Sequence, residues 1–331
     1  MIVVYGAGSI GCYVGGRLAA AGLPVTFVGR ARAAAEVAEH GLRLTDYLGA
    51  DLRVADVRFS TTPQGAAGAE LVLVTVKSAG TEQAAAELAG VLRPGAVVVS
   101  FQNGVRNADV LRAGLPEQIV VPGMVPFNVV SRGGGVFHQG TEGALDVQRD
   151  AALAPYVDAF ERAGLPLTQH EELLPVQWAK LLLNLNNPIN ALSNLPLREE
   201  LSQRAYRRCL AAAQSETLGL LDAAGVRPAR LLALPMQRLP SVLRLPDFVF
   251  RRVAGAMLAI DPLARTSMWE DLEAGRPTEI DYLNGEVVRL ADSLGRSAPV
   301  NGRLVELIRA GEVSRRSWSG AELLAELRLV M

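Results

Sequence analysis

Short apolar runs alternate with helical patterns through the first half of the chain. Five runs are rich in Val, Ile and Leu: IVVY (2–5), PVTFV (24–28), LVLVTV (71–76), AVVVSF (96–101) and IVVPGMV (119–125). Continuous runs of this kind are typical of strands buried on both faces of a parallel sheet. Helical periodicity separates them over 9–21, 31–40 and 81–92. The alternation predicts βαβ units in a doubly wound parallel sheet.

The last part of this half carries a different pattern. The glycines and the alternation of SRGGGVFHQG (131–140) predict a hairpin. A helix over 151–163 and a short strand over 165–169 complete the half.

From about residue 171 the hydrophobic pattern becomes almost entirely helical. Helices are predicted over 171–195, 199–224, 246–259, 279–294, 301–311 and 319–330. Ser319 and Glu322 have the spacing of a capping box, which marks the start of the last helix. The segment 226–245, rich in Pro, Leu and Arg, remains unassigned.

The length of 331 residues suggests about two domains. Because the pattern changes near residue 170, we expect an α/β fold class with two parts. The first is a Rossmann-type doubly wound parallel sheet over 1–170, which we expect to bind NADP(H). The second is an all-α domain over 171–331, which we expect to bind substrate and carry catalysis.

Charge, hydrophobic pattern and cysteine content argue against several classes of function. The net charge of −1 gives no reason to expect nucleic acid or an anionic membrane as partner. No apolar run approaches the ~18 residues that a membrane-spanning helix needs. MIVVYGAGS begins directly with a predicted strand and lacks a secretory signal pattern, so we expect a cytoplasmic protein. Cys12 and Cys209 fit no disulfide framework and no metal spacing, and we expect free thiols and no metal site.

A glycine motif follows the first predicted strand. Gly6, Gly8 and Gly11 in VVYGAGSIG have the G-x-G-x-x-G spacing of a dinucleotide-binding turn. In such a turn the glycines permit a tight bend, close approach of the pyrophosphate and close helix packing. The helix N-terminus then faces the phosphates. The predicted contact residues are Gly6, Ala7, Gly8, Ser9, Ile10 and Gly11.

The end of the second strand favours NADP(H) over NAD(H). An NAD site usually has an acid there to bind the ribose 2′-hydroxyl. No Asp or Glu occurs between Gly11 and Ala35, and the strand is followed by Arg30 and Arg32. A guanidinium suits a 2′-phosphate, so we expect Arg30 to contact NADPH. The alternative is an exposed arginine at a strand end, and that alternative is stronger for Arg32.

Two polar residues follow later strands. Lys77 comes after LVLVTV, and Asn103 comes after AVVVSF. Ligands of open α/β sheets bind at the carboxyl ends of the strands, so Lys77 would meet cofactor or substrate and Asn103 would donate to a nicotinamide or a carbonyl. The alternatives are a solvated lysine and a turn-forming Asn-Gly pair.

The stretch WAKLLLNLNNPINAL puts one lysine and several asparagines into an apolar helical pattern. Lys180, Asn184 and Asn187 have the i, i+4, i+7 spacing of one helix face, and Pro188 is expected to kink or break the helix after them. A buried ammonium costs free energy unless it is paired or neutralised. A solvent-facing stripe is the alternative, although an exposed face usually carries more charges than one lysine.

A second polar set lies in TSMWEDLEAGRPTEIDYLNGEVVRL. Thr278 is a candidate helix cap, which would place Glu279 in the first turn. An acid at that position also complements the helix dipole without any function. Ser267 would attract no attention by itself.

Taken together, these residues resemble the ketopantoate reductase family (2-dehydropantoate 2-reductase). The resemblance covers nearly the whole chain and rests on MIVVYGAGSIG, LVLVTVK, FQNG, WAKLLLNLNNPINAL and TEIDYLNG. The glycine motif is shared with many dehydrogenases, whereas the lysine–asparagine stretch combined with E-I-D-Y-x-N-G is much more specific.

The resemblance implies roles for individual residues. Lys180 matches the catalytic lysine of the family. Substrate contacts are implied for Asn103, Asn184, Asn187, Ser267 and Glu279. Cofactor contacts are implied for Arg30, Lys77 and Asn103. Asn187 matches only with a one-residue gap, which leaves Asn186 as a rival, and Leu197 stands where some members have an asparagine.

The expected function is therefore the NADPH-dependent reduction of 2-dehydropantoate to (R)-pantoate, for pantothenate and coenzyme A synthesis. One alternative is the same chemistry on another branched or bulky 2-oxo acid. An alternative of another class is a non-catalytic NADPH-sensing protein, but a sensor needs no proton donor such as Lys180. The expected partner is a small 2-oxo acid, and the sequence leaves a homodimer open.

Overall fold

The computed structural model describes residues 1–253, 255 and 263–330. The chain divides into two compact units, Met1–Leu173 and Leu174–Met331.

The first unit is built on twelve strands. They are β1 Ile2–Tyr5, β2 Val25–Val28, β3 Leu42–Asp46, β4 Asp51–Val54, β5 Arg58–Ser60, β6 Leu71–Val74, β7 Val97–Ser100, β8 Ile119–Met124, β9 Val129–Gly133, β10 Val136–Gln139, β11 Leu145–Gln148 and β12 Leu167–His170. Eight of them form one sheet in the order β12-β11-β8-β7-β6-β1-β2-β5. Its pairs are parallel except for β11 on β8, which is antiparallel. The predicted Rossmann-type sheet is confirmed.

Helices cover both faces of this sheet. They are α1 Ser9–Ala20, α2 Ala31–His40, α3 Thr81–Ala89, α4 Asn107–Gly114 and α5 Val157–Arg162. Alternate strand residues enter different cores: Val4 packs in the cluster that contains Leu18 of α1, whereas Val3 packs in the cluster that contains Leu88 of α3. Both faces are buried, which explains why the central strands are continuously apolar in sequence.

Four strands form a second, smaller sheet in the order β4-β3-β10-β9. The predicted hairpin is confirmed as the antiparallel pair β9 and β10. Strands β3 and β4 were not predicted, because their exposed positions carry charged residues that interrupt the apolar pattern. Leu42 and Leu44 turn inward, and Tyr13 of α1 donates a hydrogen bond to Gln139 (2.8 Å). The small sheet therefore packs beside the helix that follows the glycine motif.

The second unit is helical, and its described part contains no strand. Its helices are α6 Leu174–Asn184, α7 Asn187–Ser193, α8 Leu197–Ser202, α9 Arg204–Ala223, α10 Leu239–Leu243, α11 Asp247–Val253, α12 Ser267–Glu273, α13 Asn284–Ser293, α14 Pro299–Val313 and α15 Gly320–Arg328. Of the helix predicted over 246–259, residues 254 and 256–259 lie outside the described residues. The capping box of Ser319 and Glu322 is confirmed at the start of α15.

Two of the predicted helices are each divided into two α-helices. The predicted helix over 171–195 is two helices, α6 and α7, and the break comes before Asn187 rather than after it. The break precedes the proline because Pro188 lies in the first turn of α7, where its missing N–H costs no helical hydrogen bond. The prediction over 199–224 likewise divides into α8 and α9 at Gln203. In the described ranges, no helix is long and apolar enough to span a bilayer.

Candidate active site

The glycine motif forms the turn between β1 and α1. Gly6 has a φ of +115°, which favours glycine, and a Cβ there would lie 2.6 Å from the Val76 nitrogen. A Cβ on Gly11 would lie 2.2 Å from the Gly6 oxygen and 2.6 Å from Thr75 Oγ1. Nothing lies within 4 Å of a Cβ built on Gly8. Packing therefore requires the first and third glycines, while the second faces open space.

The N-terminus of α1 has the character of an anion site. Gly8 is the N-cap residue and offers no side chain to the first turn, which also contains no acidic residue. The backbone N–H groups of a first turn lack helical partners and carry the positive end of the helix dipole. Ser9 and Ile10 are the first residues of this turn. The turn thus offers the cradle that a pyrophosphate needs.

Arg30 lies where the sequence predicted it, just beyond the end of β2. It is the N-cap residue of α2, and its side chain is exposed, as is that of Arg32. A Cβ on the preceding Gly29 would lie 2.8 Å from the Cβ of Ala7. The end of β2 is therefore packed against the glycine turn, which places the start of α2 beside it.

A hollow of about 160 Å³ lies between the glycine turn and α2. Its lining includes Gly8, Ser9, Ala33, Val37 and, as a residue that the sequence did not single out, Glu36. The Glu36 carboxylate accepts a hydrogen bond from the Gly135 nitrogen (3.2 Å). The hollow is smaller than the ~300–1,000 Å³ of usual small-molecule sites, so it would take only part of a dinucleotide.

A buried polar network joins the loops after β6 and β7, where Lys77 and Asn103 lie. The Ser78 hydroxyl and the Asn107 amide both donate to the backbone oxygen of Asn103, at 3.0 and 2.6 Å. Thr81 donates to Asn107 Oδ1 at 2.8 Å. The network keeps Asn103, which is half-buried, close to the exposed Lys77. The sequence did not single out Ser78, Thr81 and Asn107, because Ser, Thr and Asn at helix starts usually act as caps.

These features fit a bound NADP(H). The close-packed Gly6 and Gly11 and the open Gly8 form a cradle for the pyrophosphate, and Arg30 supplies a cation at the end of β2. Among the described residues, no group of His, Cys, Asp or Glu forms a metal-binding cluster. Cys12 and Cys209 are buried free thiols.

Lys180 lies in the second unit, in the last half of α6. It is flanked by the buried residues Ala179 and Leu181 and is itself half-buried. Burial disfavours the charged ammonium and lowers the pKa of Lys180 to about 8. A lysine in this state can release its proton near neutral pH far more readily than an exposed lysine.

Asn184 and Asn187 lie on the two sides of the break between α6 and α7. Both are half-buried, and neither amide side chain forms a hydrogen bond with another residue that the structure describes. Because α6 ends at Asn184 and α7 begins at Asn187, the prediction that Lys180, Asn184 and Asn187 lie on one continuous helix is wrong. Asn186, the predicted rival, is buried and turned toward Glu200, to which its amide donates (3.4 Å).

Ser267 is the first residue of α12, and its neighbour Thr266 connects that helix to α7. The Thr266 nitrogen donates to Asn190 Oδ1 at 3.0 Å, and the Thr266 hydroxyl lies 3.4 Å from the Asn187 oxygen. The same hydroxyl caps α12 by accepting from the Trp269 nitrogen. The structure therefore brings the exposed Ser267 close to Asn187, although 79 residues separate Thr266 from Asn187.

Glu279 is half-buried and lies outside any helix. The prediction that Thr278 caps a helix with Glu279 in its first turn is wrong: Glu279 itself precedes a short 3₁₀ turn, Ile280–Tyr282, and the Thr278 hydroxyl accepts from the Ile280 nitrogen at 3.3 Å. The Thr278 nitrogen donates to Glu312 of α14 at 2.8 Å. A 3₁₀ turn of three residues has little dipole for a carboxylate to complement. The alternative that Glu279 only complements a helix dipole therefore has little support.

Two family models match the chain. The model described as "Ketopantoate reductase PanE/ApbA" matches residues 2–151, and the one described as "Ketopantoate reductase PanE/ApbA C terminal" matches residues 172–312. The 2-dehydropantoate 2-reductase of Halobacterium salinarum is 30% identical over 318 residues, which are 94% of this chain and 98% of the relative. This chain belongs to the ketopantoate reductase family.

Solved structures agree with that family. The ketopantoate reductase of Ralstonia eutropha JMP134 has a TM-score of 0.81 and 32% identity, covering 95% of this chain and 99% of that one. D-mandelate dehydrogenase with NADH and anilino(oxo)acetate has a TM-score of 0.80 at 19% identity, covering 95% and 99%. At that identity the likeness shows a shared fold.

Proposed function

We propose that this protein reduces 2-dehydropantoate to (R)-pantoate with NADPH, in pantothenate and coenzyme A synthesis. The observation that carries the proposal is Lys180, a half-buried lysine with a pKa lowered to about 8, on a helix whose next turn carries Asn184. A ketone reductase needs a proton donor close to polar side chains that can bind the substrate. A relative in this family is named 2-dehydropantoate 2-reductase.

The first unit is proposed to hold the cofactor. Residues of the glycine turn would bind the pyrophosphate through backbone N–H groups, and Arg30 would bind the 2′-phosphate. Lys77 and Asn103 are proposed to contact the rest of the cofactor, with Asn103 also near the substrate carbonyl. When bound, NADPH supplies a hydride for C2 of the oxo acid.

Lys180 is proposed to complete the reaction. As the carbonyl carbon gains a hydride, its oxygen gains negative charge and needs one proton. The Lys180 ammonium would donate that proton, become a neutral amine and be reprotonated from water. A positioned acid of this kind contributes about 10²–10⁴-fold to rate. The ammonium also stabilises the developing charge before transfer.

The substrate itself is proposed to be oriented by four further side chains. Asn184 and Asn187 present neutral amides that can bind a carboxylate or a hydroxyl without adding charge. Ser267 offers a hydroxyl from the start of α12, and Glu279 is proposed to accept a hydrogen bond from a substrate hydroxyl.

A second candidate function is the same chemistry on another branched or bulky 2-oxo acid. It is favoured by the spacing of Asn184 and Asn187, which matches the family only with a one-residue gap, and by the helix break between them. Both features change how an amide meets the substrate and leave hydride chemistry intact.

The test is an assay of purified protein with NADPH or NADH and a panel of 2-oxo acids: 2-dehydropantoate, 2-oxoisovalerate and phenylglyoxylate. We expect the highest kcat/KM with NADPH and 2-dehydropantoate. A higher kcat/KM for another acid would favour the second candidate. NADPH binding without turnover of any acid would favour the sensing alternative.

The cellular location and the oligomeric state are also proposals. We propose a cytoplasmic protein that forms a homodimer, and light scattering after size-exclusion chromatography measures whether the particle has twice the mass of one chain.

A further inference from the structure

Glu200 is a carboxyl group with no exposed surface. It lies on α8, and its side chain is buried among residues of α7 and α9. Its neighbour Glu199, on the same helix, is exposed. Charged carboxylates are rarely buried in this way unless a cation or several donors compensate them. Glu200 therefore calls for a physical explanation.

The hydrogen bonds of Glu200 are incomplete in a specific way. Its Oε2 atom accepts from the amides of Asn190 (2.8 Å) and Asn186 (3.4 Å). Its Oε1 atom is buried and has no partner among the described residues. The Asn186 Oδ1 atom is also buried and also lacks a described partner. Two acceptors thus remain unsatisfied on two side chains that are already hydrogen-bonded to each other.

One proton would satisfy both atoms. A carboxylic acid and a primary amide can form a paired ring, in which one N–H donates to a carboxyl oxygen and the O–H donates to the amide oxygen. The first of these bonds is present between Asn186 and Glu200. A proton on Oε1 would add the second and leave no unsatisfied acceptor in the pair.

The electrostatic surroundings favour the neutral acid. Both hydrogen-bond donors to Glu200 are uncharged amides. The titratable groups that face it are Tyr206 and Cys209 of α9, whose pKa values are raised by burial and would be raised further by a negative charge on Glu200. Neither supplies a positive charge. Burial without a cation raises the pKa of Glu200 to about 8.

We propose that Glu200 is a neutral carboxylic acid that donates a hydrogen bond to Asn186 and positions the segments presenting Asn187 and Ser267. The role rests on the function proposed above. Glu200 would touch neither substrate nor cofactor and would act as a positioning residue.

Asn190 connects Glu200 to the start of α12 through hydrogen bonds. Its amide nitrogen donates to Glu200, and its Oδ1 atom accepts from both the nitrogen and the hydroxyl of Thr266. Thr266 caps α12, whose first residue is Ser267. Through Asn186 the same carboxyl fixes the residue that precedes Asn187. Glu200 therefore connects the two elements on which the substrate-orienting side chains lie.

The protonation state has a measurable consequence for stability. In the unfolded chain a glutamate ionises near pH ~4.3. In the folded chain Glu200 holds its proton to about pH 8. Between these values the folded state binds one more proton than the unfolded state, so stability falls as pH rises. A glutamine at this position cannot titrate and would not show this loss.

The test compares Glu200→Gln, Glu200→Ala and the control Glu199→Gln. Glutamine can accept from Asn190 and donate to Asn186, as the neutral acid does. We expect the difference in Tm, Glu200→Gln minus wild type, to increase by about 5 °C or more from pH 5 to pH 8. Glu199→Gln should keep a constant difference from wild type over this range, because Glu199 is exposed. A constant difference for Glu200→Gln would overturn the proposal.

Kinetics test the positioning role separately. With the oxo acid preferred by wild type, Glu200→Gln should keep KM within about 3-fold, and Glu200→Ala should raise KM about 10-fold with little change in NADPH affinity. An unchanged KM in a folded Glu200→Ala variant would overturn the positioning role. The Tm measurement needs no substrate, so a failure of the proposed function would leave its result unaffected.

Discussion

The glycine turn of the first unit and the Lys180 region of the second are built on different principles. The turn is local: Gly6, Gly8 and Gly11 shape a backbone cradle within six residues of sequence. The Lys180 region depends on side chains from several helices: Lys180 and Asn184 lie on α6, while hydrogen bonds through Asn190 and Thr266 connect α7, α8 and the start of α12. One candidate site is formed by backbone, and the other is formed by packed polar side chains.

The two regions also treat charge differently. The turn leaves N–H groups and the end of a helix dipole available to an anion, and Arg30 is exposed beside it. In the Lys180 region, burial lowers the pKa of Lys180 and raises that of Glu200, so both groups are shifted toward neutrality. A binding site benefits from stable charge, whereas a proton donor benefits from a pKa near the working pH.

The largest expected effect separates chemistry from cofactor binding. Lys180→Ala should lower kcat by about 100-fold or more, because the variant has no positioned proton donor. NADPH affinity should stay within about 2-fold, since the proposed cofactor residues belong to the first unit. The measurements are kcat with 2-dehydropantoate and NADPH binding by fluorescence. Arg198→Ala, which removes an exposed cation of the second unit, is the control and should keep normal kcat. A Lys180→Ala variant with kcat within a few-fold of wild type would refute the mechanism.

The next effect concerns the cofactor alone. Arg30→Ala should weaken NADPH by about 10- to 150-fold, which corresponds to the ~1.5–3 kcal/mol of a charge-assisted hydrogen bond. NADH affinity should hardly change, because NADH lacks the 2′-phosphate. Arg32→Ala is the matched control, two residues away and also exposed. Equal losses for both cofactors in Arg30→Ala would show that this arginine does not recognise the phosphate.

A pH profile tests whether burial tunes Lys180. The wild-type kcat/KM should fall above about pH 8, by about tenfold per pH unit, because the free enzyme loses the ammonium that donates the proton. NADPH affinity measured over the same range serves as the control and should vary little. The decline should persist in Glu200→Gln, which separates it from ionisation of Glu200. A flat kcat/KM to pH 9.5 would contradict the assignment.

The smallest effect distinguishes two glycines of the turn. In Gly11→Ala the new Cβ meets the Gly6 oxygen, so we expect overpacking of about 1–3 kcal/mol and a Tm lower by several degrees. Gly8→Ala meets open space, so its Tm should stay near wild type while NADPH affinity falls a few-fold as the methyl group obstructs the pyrophosphate. The measurements are Tm and NADPH titration for both variants. Equal Tm losses would show that Gly8 is also required by packing.

The sequence predicted the first unit better than the second. Runs such as LVLVTV became strands within a few residues of their predicted bounds, because their burial on both faces demands apolar side chains at every position. The short strands β3, β4 and β5 were not predicted, since half-exposed strands carry mixed residues. In the second unit, the polar residues around Lys180 were identified from their contrast with the apolar helix. The break that separates Asn184 from Asn187 comes before Asn187, not after it as the sequence predicts, because a proline is tolerated in a first helical turn, where Pro188 lies.

The sequence by itself determined the features that depend on neighbouring residues: the strand–helix alternation, the glycine turn, the cation after β2 and the polar residues of α6. Only the tertiary structure decided which asparagine side chains between residues 184 and 190 form hydrogen bonds with other described residues and which remain half-buried without them. Asn186 and Asn190 donate hydrogen bonds to Glu200. Asn190 also accepts from Thr266, which lies 76 residues further along the chain, so Thr266 joins the same network. Local patterns arise from backbone geometry and solvent exposure along one element, whereas burial and the pKa shifts of Lys180 and Glu200 arise from elements distant in sequence.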